Sequence, residues 1–277
     1  MKPVNFDYAR PGDVSAVLDL LKDDTRLVKL IAGGQSLGPM LNMRLVQPDL
    51  VVDLTGVAEL KGVDDRKDEI VVGACITHAD IEDYRVPDVT HDALPTVARG
   101  IAYRAVRNRG TMGGSLTHAD PSADWVSMLS AIGAKVTLRG PSGSRTLPVE
   151  DYMIGALEAD LAHGEMLVSI SIPKLSARAR WGYYKSCRKT GEFAHAIGAF
   201  VIDPERQVSR AVFGATESRP IVVTDARQHL GDLNKELSSS AFDAKAADAM
   251  IEAAGMVDAI DRKIHVVALR RAIEQAH

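Results

Sequence analysis

Cysteine is scarce in this chain: Cys75 and Cys187 are the only two in 277 residues. Two thiols cannot supply the four-thiolate set of an ordinary iron–sulfur cluster. Nor do they form the disulfide framework of a small secreted scaffold. Long apolar runs are missing too. No stretch approaches the roughly 18 consecutive apolar residues of a membrane span. The opening segment Met1-Lys2-Pro3-Val4-Asn5-Phe6 has no apolar signal-peptide core, so a cytoplasmic protein is expected. No excess of positive charge is present: the formal charge is -4 and the pI about 6.1, which argues against a broad nucleic-acid-binding surface. Metal-ligand spacing is absent as well. His78, His91, His118, His163 and His195 are scattered, with none of the clustering that three or more convergent ligands require. A structural hydrogen bond is the simpler role for each, so no metal ligand is assigned.

What the chain does have is 46% hydrophobic residues, enough for a sizeable core, and two glycine turns of matching chemistry. In the first, Leu30-Ile31-Ala32 runs into Gly33-Gly34-Gln35-Ser36-Leu37. The second is Thr111-Met112-Gly113-Gly114-Ser115. Paired glycines admit positive φ and let a backbone approach a ligand closely. Successive N–H groups in such a turn form an anion nest. Two of them suggest one phosphate-rich ligand held from two sides, although each alone reads equally well as a tight turn. Neither matches the dinucleotide fingerprint G-x-G-x-x-G or the P-loop G-K-[ST], which removes the main support for a nucleotide triphosphatase.

The hydropathy pattern places these turns. Asp13 or Ser15 caps a helix with Val14, Val17, Leu18 and Leu21 on its apolar face. Val28 to Ala32 reads as a buried strand feeding the first turn, a frequent ligand position in α/β proteins. A short helix is expected over Pro39 to Leu45, a strand over Leu50 to Leu54 and a hairpin around Asp64–Glu69. Thr77 caps the next short helix, and His91 to Ala102 is helical. Asp120 or Ser122 is a candidate cap for a helix over Ala123 to Ala131. Alternatively, Asp120 or Asp124 accepts hydrogen bonds from ligand hydroxyls. Strands follow at Lys135 to Arg139 and Met166 to Ile172. The last third reads as strands and then helices, an α+β pattern, with helices over Ala226 to Leu230, Phe242 to Ala259 and Asp261 to Gln275. Seams near 54–58 and 173–180 divide the chain into 1–56, 57–173 and 174–277.

Together, Ala32-Gly33-Gly34-Gln35-Ser36 and Thr111-Met112-Gly113-Gly114-Ser115 resemble the AGG-x-S and T-x-GG-[NS] motifs of the FAD-binding medium subunit of molybdenum hydroxylases. That family includes carbon monoxide dehydrogenase and is related to the flavin domain of xanthine dehydrogenase. Arg107-Asn108-Arg109-Gly110 before the second motif and Ala119-Asp120-Pro121 after it strengthen the match, which spans the whole chain. The resemblance implies an α+β protein: two α/β FAD-binding subdomains, then a C-terminal α+β domain with an antiparallel sheet and helices. It implies FAD contacts from Leu30, Ile31, Ala32, Gly33, Gly34, Gln35, Ser36 and Leu37. On the other side it implies Thr111, Gly113, Gly114, Ser115 and Asp124. Leu167, with Met166 beside it in register, resembles an adenine-side contact, and Tyr184 and Lys185 resemble residues near the flavin. Arg188 to Phe193 resembles a basic segment near the redox interface, with Glu192 where Asp is commoner.

The resemblance further implies a heterotrimer, as a dimer of such trimers. A large molybdopterin subunit hydroxylates an organic substrate, an N-heterocycle among the options. A small subunit carries two [2Fe–2S] clusters, and this chain relays electrons through FAD to an external acceptor. No catalytic residue is assigned here. Two other readings stay open: a self-contained FAD-dependent dehydrogenase or oxidase, and a non-catalytic nucleotide-binding scaffold subunit.

Overall fold

The structure is a computed structural model and describes residues 2–233 and 241–276. Three sheets follow one another along the chain. The first is parallel, with strands β1 (Asp7–Ala9), β2 (Val28–Ile31) and β3 (Leu50–Asp53) in the order β1-β3-β2. The helix Val14–Leu21 crosses from β1 to β2. Asp13 starts it by accepting from the Ala16 amide at 2.8 Å, and its Val14 and Val17 are fully buried against the sheet. A one-turn helix, Leu37–Asn42, lies between β2 and β3.

The second sheet contains β4 (Val63–Asp65), β5 (Glu69–Gly73), β6 (Lys135–Gly140), β7 (Gly143–Pro148) and, after the small hairpin β8 (Met153–Gly155) and β9 (Glu158–Ala159), β10 (Met166–Pro173). Its order is β4-β5-β10-β6-β7, antiparallel throughout. Strand β10 joins two cores. Met166 and Val168 pack with Val14, Val17 and Val52, while Leu167, Ile170 and Ile172 face the larger core around Trp125, Met128 and Leu129. The third sheet is an antiparallel meander of β11 (Arg180–Ser186), β12 (Ala196–Asp203), β13 (Val208–Gly214) and β14 (Ile221–Val223).

One helix belongs to both neighbours. Asp124–Ile132 is buried at all nine positions because it fills the space between the second sheet and the face of β12 and β13. The helix Ala259–Gln275 covers the opposite face, so every residue of β12 is buried. Glycine makes this sandwich thin. A Cβ at Gly182 would sit 1.8 Å from the Ala272 carbonyl oxygen, and one at Gly198 would sit 2.4 Å from that of Ala268.

Helix ends differ from the sequence pattern where the backbone turns left-handed. The helix expected over 39–45 is Leu37–Asn42, and Arg44 at φ 57° ends the turn. That expected over 91–102 is Ala93–Gly100, flanked by His91, Asp92 and Ala102 at positive φ. The long helix expected from Phe242 stops at Ala253 before Gly255 at φ 103°. Asp258 then caps the terminal helix through the Ile260 and Asp261 amides.

The close glycine contacts are testable. Gly182→Ala should lower unfolding stability by about 1–3 kcal/mol through overpacking, measured by urea denaturation. Gly12→Ala, where nothing lies within 4 Å of the added Cβ, should stay within about 0.5 kcal/mol of the parent.

Candidate functional site

The two glycine motifs meet. The chain leaves β2 after Ile31, which pairs with Asp53, and Gly33 then lies directly on the second motif's approach segment. A Cβ there would be 2.0 Å from the Arg109 carbonyl oxygen and 2.8 Å from the Gly110 Cα. Only glycine fits. Gly34 follows at φ 70°, a conformation that glycine adopts at little cost. The Gly33 carbonyl accepts from Gln35 Nε2 at 3.0 Å and from Arg109 Nε at 3.3 Å. The next backbone bonds are Gly38 N–H to Gly34 and Met40 N–H to Ser36. Among the described residues, the amides of Gly33, Gly34, Gln35 and Ser36 have no acceptor. Ser36 precedes the short helix without capping it through its side chain.

The second turn is built differently. Thr111 caps the helix Met112–His118, its Oγ1 accepting from the Gly114 amide at 3.0 Å. The Met112 amide donates to Ile76 and the Gly113 amide to Ala74. Gly113 is packed so closely that a Cβ would lie 2.6 Å from both the Cβ and the carbonyl oxygen of Ala74. Both glycine amides are thus spent inside the protein. What remains outward is the exposed backbone at Gly114 and the half-buried Ser115. A Cβ on Gly114 would come within 3.9 Å of the Ala32 methyl, which sets the two turns side by side.

His78 supports this junction from behind. Its amide donates to Gly110, and its Nε2 stands 2.7 Å from where a Gly110 Cβ would be. Trp125 Nε1–H donates to His78 Nδ1 at 2.9 Å. Burial, aided by the Arg107 charge, pushes the imidazole down to about 4, so the ring is neutral at neutral pH. The sequence marks His78 only as a histidine with a structural hydrogen bond, and nothing in its spacing reveals the partner.

Of the other candidates, Asp124 and Lys185 come together. Lys185 Nζ donates to Asp124 Oδ2 at 2.9 Å and Tyr183 Oη to Asp124 Oδ1 at 2.7 Å, in a buried cluster. Burial raises the Asp124 carboxyl, with Lys185 and Tyr183 opposing that effect. Burial and the adjacent carboxylate hold the Tyr183 phenol well above its usual range. Both Asp124 oxygens thus already accept one hydrogen bond within the chain. Tyr183 escapes the sequence reading, although the two-residue period of a strand puts 183 and 185 on one face. Tyr184 faces the other way. Arg271 stacks 4.8 Å above its ring and donates to its hydroxyl, beside a groove of about 280 Å³ lined by Ser186, Lys263, Ile264 and Val267. Tyr184 and Lys185 therefore project from opposite faces of β11.

Asp120 accepts from the Ser122 amide at 2.8 Å. The helix begins at Asp124 with Ala123 in the cap position, so neither Asp120 nor Ser122 caps it. Leu167 and Met166 are both buried, on different cores. Gly191, at φ 90°, seats the 188–193 segment on Ala102, where a Cβ would meet the Ala102 carbonyl at 2.7 Å. Among the described residues no three His, Cys, Asp or Glu side chains converge as a metal-ligand set, and no helix is long and apolar enough to cross a membrane.

Known proteins resemble this chain in sequence and in fold. The sequence pattern of the family described as the FAD binding domain in molybdopterin dehydrogenase matches residues 4–175. The chain belongs to this family. It is an FAD-binding oxidoreductase subunit of the molybdenum hydroxylase medium-chain type. The carbon monoxide dehydrogenase medium chain of Hydrogenophaga pseudoflava is 32% identical over 252 residues, 91% of this chain and 88% of that one. Caffeine dehydrogenase subunit beta of Pseudomonas sp. (strain CBB1) is 33% identical over 206 residues, 74% of this chain and 70% of that one. Quinoline 2-oxidoreductase from Pseudomonas putida 86 superposes with a TM-score of 0.84 at 31% identity, covering 100% of this chain and 98% of the solved one. The family match ends at 175, while the solved relative extends the likeness through the third sheet and its helices.

The neutral His78 gives a pH signature. Its folded value of about 4 lies below the ordinary 6.5, so the unfolded chain binds the extra proton between them. Its contribution is complete above about pH 6.5 and is lost as pH falls toward 4, at most roughly 3 kcal/mol. His78→Gln keeps an acceptor for Trp125 and removes the titration. Urea midpoints at pH 7 and pH 4.5 should fall less in the variant than in the parent.

Proposed function

We propose that FAD lies with its pyrophosphate over the Gly33–Ser36 turn, and that this chain relays electrons from a small subunit carrying two [2Fe–2S] clusters to an external acceptor. The observation that carries the reading is the turn itself. Four consecutive amides have no acceptor among the described residues, on a backbone that a side chain at Gly33 would disrupt. Such N–H groups suit phosphoryl oxygens. We assign the direct contacts to Leu30 through Leu37, Thr111, Gly114 and Ser115, with Lys185 toward the flavin. Gly113, Asp124 and Leu167 act by packing or by holding a neighbour, and Tyr184 lies on the opposite face of its strand.

Bound FAD supplies the redox chemistry, taking up and releasing electrons singly or in pairs. The chain's residues bind, orient and exclude water, and none is needed to break a substrate bond. Organic substrate hydroxylation belongs to a large molybdopterin subunit in a heterotrimer that pairs into a dimer. Relatives named for carbon monoxide, caffeine and quinoline fit a flavin chain that leaves substrate choice to a partner. The only two cysteines here fit clusters housed elsewhere. A cytoplasmic location and units divided near residues 56 and 173 complete the reading.

Gly114→Val tests the seat. Its side chain would crowd Thr111 Oγ1 and project beside Ala32, so the purified, folded variant should retain less than a tenth of the parent's FAD, read from visible flavin absorbance. Equal flavin content in a variant with unchanged circular dichroism defeats the assignment. Native mass analysis of the tagged chain should find two further subunits. A lone chain that oxidises an organic substrate would favour a self-contained dehydrogenase instead.

A further inference from the structure

Three arginines stand before the second glycine turn, and two of them are spoken for. Arg104 forks onto Glu82 and Asp83, with distances of 2.5–2.8 Å. Arg107 holds Glu82 at 2.7 and 3.1 Å and donates to the carbonyls of Ile101 and Ala102. Arg109 differs. Among the described residues, its one side-chain hydrogen bond runs from Nε to the Gly33 carbonyl at 3.3 Å. No carboxylate among the described residues lies within 4.0 Å of it. Its own carbonyl is the atom against which Gly33 is packed. An exposed guanidinium with no carboxylate partner among the described residues is therefore tethered by main chain and side chain to a turn whose four amides find no acceptor among those residues.

We infer that Arg109 is the cation that neutralises the diphosphate bound at this turn. The inference rests on the FAD reading and adds the charge partner that backbone amides alone do not provide. The amides carry partial positive charge only, whereas a pyrophosphate brings full negative charge that needs a counter-ion when drawn out of water. A guanidinium offers five N–H donors in a planar fork. With Nε engaged by Gly33, its terminal nitrogens stay free for a two-pronged bond to phosphoryl oxygens. The tether also lowers the ordering cost of that bond, because the side chain is held at the turn before any ligand arrives. The two motifs thus divide the work. The first supplies neutral donors, and the approach to the second supplies the charge.

The test compares ligands with and without phosphate. Flavin-depleted full-length chain is titrated with FAD, ADP and riboflavin by calorimetry or fluorescence, as parent, Arg109→Lys, Arg109→Gln and Arg104→Gln. Arg109→Gln should weaken FAD and ADP by about ten- to hundredfold, the scale of a charged hydrogen bond, and leave riboflavin unchanged. Its ADP affinity should fall less steeply with added salt than the parent's. Arg109→Lys, which keeps charge but loses the fork, should fall between parent and Arg109→Gln and keeps the test decisive if the glutamine variant does not fold. Arg104→Gln should bind all three ligands like the parent. Equal FAD and ADP affinity in parent and Arg109→Gln overturns the role of Arg109 and leaves the FAD reading intact. Equal loss for riboflavin and ADP overturns it in favour of a structural role. A parent that takes up no FAD refutes the FAD reading, and this inference with it.

Discussion

The contact between the Gly33 Cα and the Arg109–Gly110 backbone decides how the rest of the site is built. Two segments 76 residues apart in sequence touch main chain to main chain, at a spacing that any side chain at 33 would break. Each side of that contact is anchored in a different sheet. The first turn hangs from β2, in the parallel sheet. The second is bonded to the Ala74–His78 stretch that follows β5, through Ala74, Ile76 and the Thr77–Thr111 bridge. The site is therefore a seam between two cores. Its geometry is only as firm as the packing of β10, which feeds Met166 and Val168 to one core and Leu167 and Ile170 to the other.

A second seam works by charge. The helix Asp124–Ile132 fills the gap between the second and third sheets, and its first residue takes both Tyr183 and Lys185 from β11. A buried pair of this kind is weak support for stability as such. Removing one partner leaves a stranded charge, which costs about 3–5 kcal/mol, so the pair fixes the docking register of the third sheet more than it strengthens it. Further along the same helix, Ser127 packs where a Cβ on Gly214 would fall 1.9 Å from its hydroxyl. Small residues, the Asp124 cluster and Arg210, which pairs with Glu150 and donates to the Ser130 carbonyl at 2.9 Å, together hold the third sheet against this helix.

Much of this was legible in the chain itself. The two glycine motifs, the strand feeding the first and the capped helix starting at Asp13 all stand out from residue type and period. The sense of the second motif did not. Gly113 reads like a ligand-facing glycine, yet it is glycine because Ala74 occupies the space its Cβ would need, and no local pattern encodes a neighbour 39 residues away. Asp124 likewise reads as an open acceptor, and its partners appear only when β11 is folded beside it. Arg109 stands within the motif, but that no carboxylate among the described residues reaches it is a tertiary fact. Helix ends were lost where His91, Asp92 and Ala102 adopt positive φ, conformations that residue type does not announce.

Groups with displaced proton affinities often mark acid–base chemistry. In this protein they mark architecture. His78 is neutral because it is buried against Trp125. Tyr183 and Asp124 are displaced because they are sealed in the second seam, and the Cys75 thiol is pushed up to about 11 by burial. None of these groups belongs to the open turn at Gly33–Ser36, which offers uncharged N–H donors, the Gln35 amide, the Ser36 hydroxyl and one arginine. A site of that composition can hold an anion and orient it. That role suits an electron relay. A bound cofactor brings the reactivity, and the protein around it is selected for rigidity, charge balance and distance.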